Sequence, residues 1–301
     1  MTIDKPELSI VILSYNVQQL LSNCLESLFS DIQSKHWQII VVDNASTDDS
    51  IKYLKKHYPQ IQLIISSQNV GFSSGNNLAL PHIESDYVLF LNPDTETPSA
   101  TISFVLDYLK TNSQVGAATC KILLPNGNLD DGCHRGFPTP WNSFCHFTGL
   151  NKLFPHSKWF SGYWQGYKNL NTPHEIDALT GAFIMLPTRV GKQLNWWDED
   201  YFFNGEDLDF CYRIREAGYQ IMYLPQVTIT HFKGASGGYK STSHGAKSVS
   251  KEIKLQTARA STQAMKLFYQ KHYQTKYPLW LTWLTLTGIQ LLEKYRLSKI
   301  T

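Results

Sequence analysis

An α/β architecture with a doubly wound, mostly parallel sheet and a helical C-terminal tail is what this chain of 301 residues predicts, and three observations point there. Short apolar runs rich in Val and Ile recur without polar alternation, which is how strands covered on both faces read. Segments with apolar residues at helical spacing stand between them, so the order is strand, helix, strand, helix. Hydrophobic residues make up 42% of the chain and charged residues 17%, enough for a large core and incompatible with disorder as a whole.

Taken in order, Ser9–Asn16 reads as the first strand, and Leu20–Ser30 follows as a helix with Leu21, Leu25, Leu28 and Phe29 on one face. Trp37–Asp43 is the second strand. Ser46-Thr-Asp-Asp then offers N-cap chemistry to a helix running through His57. Ile61–Ser66, a helix over about Ser73–Ile83, and Tyr87–Leu91 continue the alternation, giving four strand-helix steps in the first 112 residues. After a strand at Val115–Leu124 the pattern stops. Pro125–His174 is polar, aromatic and rich in Gly and Pro without a clean period, and a long irregular insertion of that kind is usually functional. Order returns at Glu175–Pro187, in a helix over about Asp207–Ala217 with Gly218 as its stop, and in a last strand at Ile221–His231. Ser248–His272 reads as a basic helix, and Tyr277–Leu292 is a 16-residue run without charge that holds Trp280 and Trp283.

Five cysteines, odd in number and without a C-x-x-C pair, argue against a disulfide framework and a cysteine zinc site, and so for a reducing, intracellular setting. No apolar run reaches the 18 to 20 residues or so that span a bilayer, and the N-terminus lacks a signal-peptide layout. The net charge of +2 conceals an asymmetry: residues 1–231 carry −8 and residues 232–301 carry +10. Such a tail seeks an anionic surface, or else is a solvated basic helix packed on an acidic body.

In open α/β sheets ligands sit beyond the carboxyl ends of the strands. Three such ends are polar: Ser14-Tyr15-Asn16, Asp43-Asn44-Ala45-Ser46 and Asn92-Pro93-Asp94. Each alone is ordinary turn chemistry, but three at one sheet edge suggest a site. One acid there can accept hydrogen bonds from a nucleobase imide or a ribose hydroxyl, and another can hold a divalent cation against a diphosphate. Neither glycine-rich phosphate-loop fingerprint is present, so cation-assisted diphosphate binding is the expectation.

An ordered series of motifs then matches a family: Val-Ile-Leu-Ser-Tyr-Asn16, Val-Val-Asp43-Asn-Ala-Ser46, Asn69-Val-Gly-Phe-Ser-Ser-Gly-Asn-Asn77, Leu-Asn-Pro-Asp94, Leu-Thr-Gly181-Ala-Phe, Phe-Phe-Asn-Gly-Glu206-Asp207-Leu-Asp209 and Thr-His231. From about Leu8 to Ser236 the chain resembles the family 2 glycosyltransferases of GT-A fold, within them the non-processive, rhamnosyltransferase-like branch that builds bacterial surface polysaccharide. The resemblance implies a catalytic domain over 1–236 and leaves 237–301 as a basic helical extension. It implies that Asp43 reads a uracil or thymine ring, with Ser14, Tyr15, Asn16 and Asn76 around the same nucleotide-sugar pocket. Asn92-Pro93-Asp94 resembles the family's D-x-D motif with Asn in first place, so Asp94 is its one charged metal ligand. His231 is similar to a histidine that completes the metal site in some members, with Mg²⁺ or Mn²⁺ as the cation. Gly181-Ala182 lets backbone approach the sugar. Asp207 resembles the catalytic base, with Glu206 beside it; as ordinary first-turn acids, these carboxylates would simply favour the positive end of a helix.

No Q-x-x-R-W motif and no set of membrane helices, the marks of processive relatives, occur in the chain. The resemblance therefore implies an inverting, metal-dependent transfer of one sugar, L-rhamnose from dTDP-rhamnose, to a lipid-linked or polysaccharide acceptor at the inner face of the cytoplasmic membrane, with no nucleic acid as partner. The alternatives are a UDP-sugar donor such as UDP-galactofuranose or UDP-hexose, and a non-catalytic glycan or nucleotide-sugar binding module. A nucleotidyltransferase lacks support because no basic glycine-rich loop follows the first strand. As a helix of roughly 24 Å, Tyr277–Leu292 is too short to span a bilayer and fits the membrane interface, or docks on the catalytic body or on a second copy in a homodimer.

Overall fold

The computed structural model describes residues 5–32, 36–233 and 251–300. Four strands, β1 (Leu8–Ser14), β2 (Trp37–Asp43), β3 (Gln62–Ile65) and β4 (Tyr87–Leu91), form on the first four apolar runs, with helices α1 (Gln18–Ile32), α2 (Ser50–His57) and α3 (Gly71–Asn77) between them. β2 and β4 flank β1, β3 pairs with β2, and all three pairings are parallel. Ile10, Val11, Ile12, Ile40, Val41 and Val42 are fully buried, so neither face of these strands meets water and the runs do not alternate. The third helix stops at Asn77, short of the expected Ile83, and a separate 3₁₀ turn, Leu80–His82, carries Pro81, whose ring cannot continue an α-helix.

The second half holds β5 (Thr95–Glu96), α4 (Thr101–Thr111), β6 (Val115–Leu123), α5 (Pro140–Thr148), α6 (Leu150–Leu153), β7 (His174–Ile176), β8 (Phe183–Pro187), α7 (Thr188–Gln193), α8 (Glu206–Glu216) and β9 (Gln220–His231). The strand order is β3-β2-β1-β4-β8-β6-β9-β5, with β7 on β9. The sheet is mixed. β8 lies antiparallel between β4 and β6, because the chain returns to it from the long excursion after β6 and not through a crossover helix. Part of that excursion is helical where no period announced it: Pro140 begins α5, the Thr139 hydroxyl accepts from the Asn142 amide at 3.1 Å, and Gly149 at φ 80° ends it.

Two helices, α9 (Lys251–His272) and α10 (Leu279–Ser298), close the chain. The boundary expected at residues 236/237 and the expected helix start at Ser248 lie outside the described residues. α9 is no loose appendage. Ala264, Phe268, Tyr269 and Tyr273 pack with Tyr201 and Tyr212 into a second buried cluster, and His272 Nε2 meets Asp209 Oδ1 at 2.7 Å. α10 folds back on α9 through Tyr269–Thr282 and Arg296–Ser261 hydrogen bonds, both 3.0 Å. The five cysteines are buried and free, and among the described residues no helix is long and apolar enough to cross a membrane.

Candidate active site

Ser14 and Asp43 are register partners at the ends of β1 and β2, so their side chains leave the sheet on the same face. Both are fully buried, and Ser14 Oγ and Asp43 Oδ2 have no hydrogen-bond partner, while Asp43 Oδ1 accepts from the Ser46 amide at 2.8 Å. Buried polar atoms are nearly always paired, so two orphans on one face of a strand end leave bonding capacity open to a ligand. Asn16, at φ 54°, accepts from the amides of Thr47 and Asp48 at 2.7 and 3.3 Å and so ties the loops after β1 and β2 together. Tyr15 stands half-exposed at the rim. Asn76 is buried, but its amide nitrogen donates to the Phe72 carbonyl in its own helix at 3.0 Å. Gly71 explains its motif: at φ +84°, a Cβ there would lie 2.4 Å from the Phe202 carbonyl oxygen, which accepts from the Phe72 amide at 2.8 Å. That contact brings α3 against the loop leading to α8.

Asp94 follows β4, and the short β5 pairs Thr95 with His231 of β9. Asp94 Oδ1 lies 3.3 Å from His231 Nε2, and His231 Nδ1 meets Asp130 Oδ2 at 2.8 Å, all three buried. Lys233 Nζ reaches Asp130 Oδ1 at 2.5 Å. Burial alone would lower the His231 pKa, but its bonds to Asp130 and Asp94 outweigh it and push the imidazole up to about 9. Burial likewise opposes ionisation of Asp130, yet His231 and Lys233 hold it well below the usual carboxylate range. At neutral pH the ring is therefore an imidazolium that donates to both carboxylates, and it must release the Nε2 proton before that nitrogen can serve a divalent cation. Among the described residues no group of three or more His, Cys, Asp or Glu side chains stands ready for a metal. Asp94 and His231 thus form a partial donor set of oxygen and nitrogen, compatible with Mg²⁺ or Mn²⁺ when diphosphate oxygens and water complete it.

α8 opens on Gly205, at φ 88°, and places Glu206, Asp207 and Asp209 in its first turn. Their surroundings separate them. Asp209 is bound by Arg213 Nε at 2.8 Å and by His272, which hold its pKa down against burial; it is structural. Asp207 Oδ2 accepts from Arg135 Nη2 at 2.6 Å, with the two side chains 14% and 12% exposed, and Asp207 Oδ1 accepts from the Leu208 amide at 2.7 Å. Glu206 is buried with Oε2 unpartnered, and burial, then the neighbouring Asp207 charge, push its carboxyl up to about 8.

One backbone segment serves both centres. Arg135 Nη2 also donates to the Leu179 carbonyl at 2.8 Å, while the Asn92 amide donates to the Ala182 carbonyl at 3.1 Å, so Leu179–Ala182 bridges the Asp207 pair and the Asn92–Asp94 loop. A Cβ on Gly181 would lie 3.0 Å from Phe72 Cζ, which joins that segment to α3. Asp130, Arg135 and Lys233 are absent from the sequence-derived site. The first two lie in the aperiodic stretch after β6, where the short run Asp130-Asp-Gly-Cys-His-Arg135 was the only signal, and nothing local says that its two ends reach different acids.

Known proteins resemble the chain in sequence and in fold. A rhamnosyltransferase of Escherichia coli K12, WbbL, is 27% identical over 234 residues, 74% of this chain and 82% of that protein. An N-acetylglucosaminyl-diphospho-decaprenol L-rhamnosyltransferase of Mycobacterium tuberculosis is 25% identical over 249 residues, 79% of this chain and 80% of that one. Among solved structures, GalNAc-T7 with UDP, GalNAc and Mn²⁺ superposes with a TM-score of 0.58 at 12% identity, over 89% of this chain; the chain spans half the length of that protein, and the likeness concerns the fold. The family model for glycosyl transferase family 2 matches residues 9–169. With a GT-A-like mixed α/β sheet, polar strand ends around orphaned acceptors and rhamnosyltransferase relatives, the chain belongs to glycosyl transferase family 2 and is a glycosyltransferase.

Proposed function

We propose that the protein transfers one L-rhamnosyl unit from dTDP-rhamnose, with inversion, to a lipid-linked acceptor at the cytoplasmic face of the membrane. The observation that carries the reading is Asp207 held by the largely buried Arg135, one hydrogen-bonded segment away from the loop that bears Asp94. The two rhamnosyltransferase relatives, one acting on a diphospho-decaprenol by its name, support the choice of donor and acceptor.

In this mechanism the base ring enters between Ser14 and Asp43, whose orphaned oxygens take its polar edge. Asp94 and His231 would hold Mg²⁺ or Mn²⁺, which when bound supplies positive charge against the departing diphosphate. Asp207 accepts the proton of the acceptor hydroxyl while that oxygen attacks the anomeric carbon opposite the leaving nucleoside diphosphate. Arg135 fixes the carboxylate in place. Burial and the Asp207 charge favour the neutral form of Glu206, which spares the site a second negative charge beside the base.

A product assay with dTDP-rhamnose and UDP-sugars tests the donor, and Asp207→Asn tests the base. The amide keeps the shape and cannot take a proton, so turnover falls by about 10² to 10⁴ while donor binding persists. Turnover near that of the wild type would remove Asp207 from the role. Transfer from UDP-hexose alone would move the protein to the other donor class.

A further inference from the structure

Two exposed apolar faces, far apart in sequence, are not used by the chemistry. On α5, Trp141, Phe144 and Phe147 stand outward at helical spacing, with Trp141 stacked on Phe144 at 5.7 Å, and the chain continues through exposed Leu153, Phe154 and Trp159, the last 77% exposed. On α10, Trp280, Trp283, Leu284, Leu291 and Tyr295 form an outward stripe, Trp280 and Trp283 being 64% and 66% exposed, while Thr282 and Leu286 face α9 and the second cluster. The elements that carry them adjoin. Phe137, just ahead of α5, and Leu286 of α10 pack against the same buried cluster of Tyr201, Tyr212 and Phe268. Arg296 of α10 also lies near enough to His146 of α5 to add, after burial and Lys152, to the lowering of that imidazole's pKa.

A soluble protein rarely exposes this many large apolar side chains on two adjoining elements, and their composition selects the occupant. Lysine is depleted from the cores of protein interfaces, yet Lys152, Lys158, Lys294 and Lys299 are exposed on these same segments, and the chain from residue 232 onward carries +10. Tryptophan, tyrosine and aliphatic side chains interleaved with lysine suit the headgroup region of an anionic bilayer, where aromatic rings sit at the polar boundary and cations meet lipid phosphate. We propose that α10 and the α5–α6 segment together form one membrane-docking face that lies in the headgroup region of an anionic bilayer. The face brings Asp207 to the lipid-linked acceptor, and it rests on that reading for its purpose alone.

Full-length protein is sedimented with vesicles of phosphatidylcholine, with and without phosphatidylglycerol, and with no acceptor lipid present. The expected result is stronger partitioning onto the anionic vesicles, weakened by added salt, and a fall of at least about tenfold in each of two variants, Trp280→Ser/Trp283→Ser on α10 and Leu153→Ser/Trp159→Ser on the insertion. Lipids brominated near the headgroup quench the tryptophan fluorescence of the unmodified protein, a readout that needs no substitution. Absence of vesicle binding and of quenching overturns the proposal, as does an insertion variant that binds like the wild type. Self-association lost in both variants, without vesicle binding, overturns it in favour of a second copy. Transfer to a water-soluble acceptor, measured alongside, keeps the two readings apart: intact transfer without vesicle binding sinks the docking face and leaves the reaction standing.

Discussion

Replacing Arg135 by glutamine strands the Asp207 carboxylate. The guanidinium makes a 2.6 Å bond to Asp207 Oδ2 and a 2.8 Å bond to the Leu179 carbonyl, with both side chains about seven-eighths buried. Breaking a buried pair by removing one partner costs about 3–5 kcal/mol, most of it the penalty on the charge left behind. Urea unfolding at pH 7 should therefore show Arg135→Gln less stable by that amount. The double variant Arg135→Gln/Asp207→Asn removes the stranded charge as well, so it should recover about 2 kcal/mol or more relative to Arg135→Gln alone, the coupling a double-mutant cycle reads. In the transfer assay Arg135→Gln should lose at least tenfold in kcat with the donor dissociation constant unchanged, because the base is displaced and the nucleotide pocket is untouched. A loss below 1 kcal/mol, or a double variant no more stable than the single one, would refute the assignment of Arg135 as the residue that holds Asp207.

Three further outcomes are expected. Chelation by EDTA stops transfer and Mg²⁺ or Mn²⁺ restores it, with Asp94→Ala raising the cation requirement more than His231→Ala, since Asp94 brings the formal charge; full activity in EDTA excludes both residues from a metal site. Asp43→Ala weakens thymidine or uridine diphosphate binding by about 1–3 kcal/mol in calorimetry, and GDP binding as tight as that of the pyrimidine nucleotides would show that Asp43 does not read the base. His134 is buried against His174, their Nε2 atoms 2.6 Å apart, and burial followed by the His174 charge lowers its pKa to about 4. The folded state resists the proton that the unfolded chain takes up near pH 6.5. Its contribution is complete above that pH and is lost as pH falls towards 4, by about 3 kcal/mol at most, so His134→Gln should show a shallower loss of stability between pH 7 and 4.5 than the wild type; equal slopes would contradict this.

Much of the framework was legible locally. The runs at Trp37–Asp43 and Tyr87–Leu91 became strands at those same bounds because continuous apolar runs have no stable place except a doubly covered sheet, and the polar residues ending them fall at the sheet edge as a matter of topology. Glu206 and Asp207, acids suited to a first turn, likewise marked the start of α8. Less was visible where function needs contacts between distant segments. β8 has the composition of any buried strand, and its antiparallel insertion is a property of the path that leads to it.

Composition and periodicity by themselves determined the class of fold, the polar strand ends at one sheet edge, and the helix that carries Asp207. Tertiary structure alone decided what each acid touches. Asp207 and Asp209 are two residues apart and look alike in sequence, yet one meets Arg135 from 72 residues away and the other is bound by Arg213 and by His272 of α9. His231 is oriented by Asp130, 101 residues distant, and Phe137 ahead of α5 and Leu286 of α10 pack on one buried cluster. Hydrophobic period is short-range information, written over a few residues by the geometry of one helix or strand. The ionisation and role of a carboxylate depend on charges and burial within a few ångströms of it, and which residues arrive there is set only when the whole sheet closes.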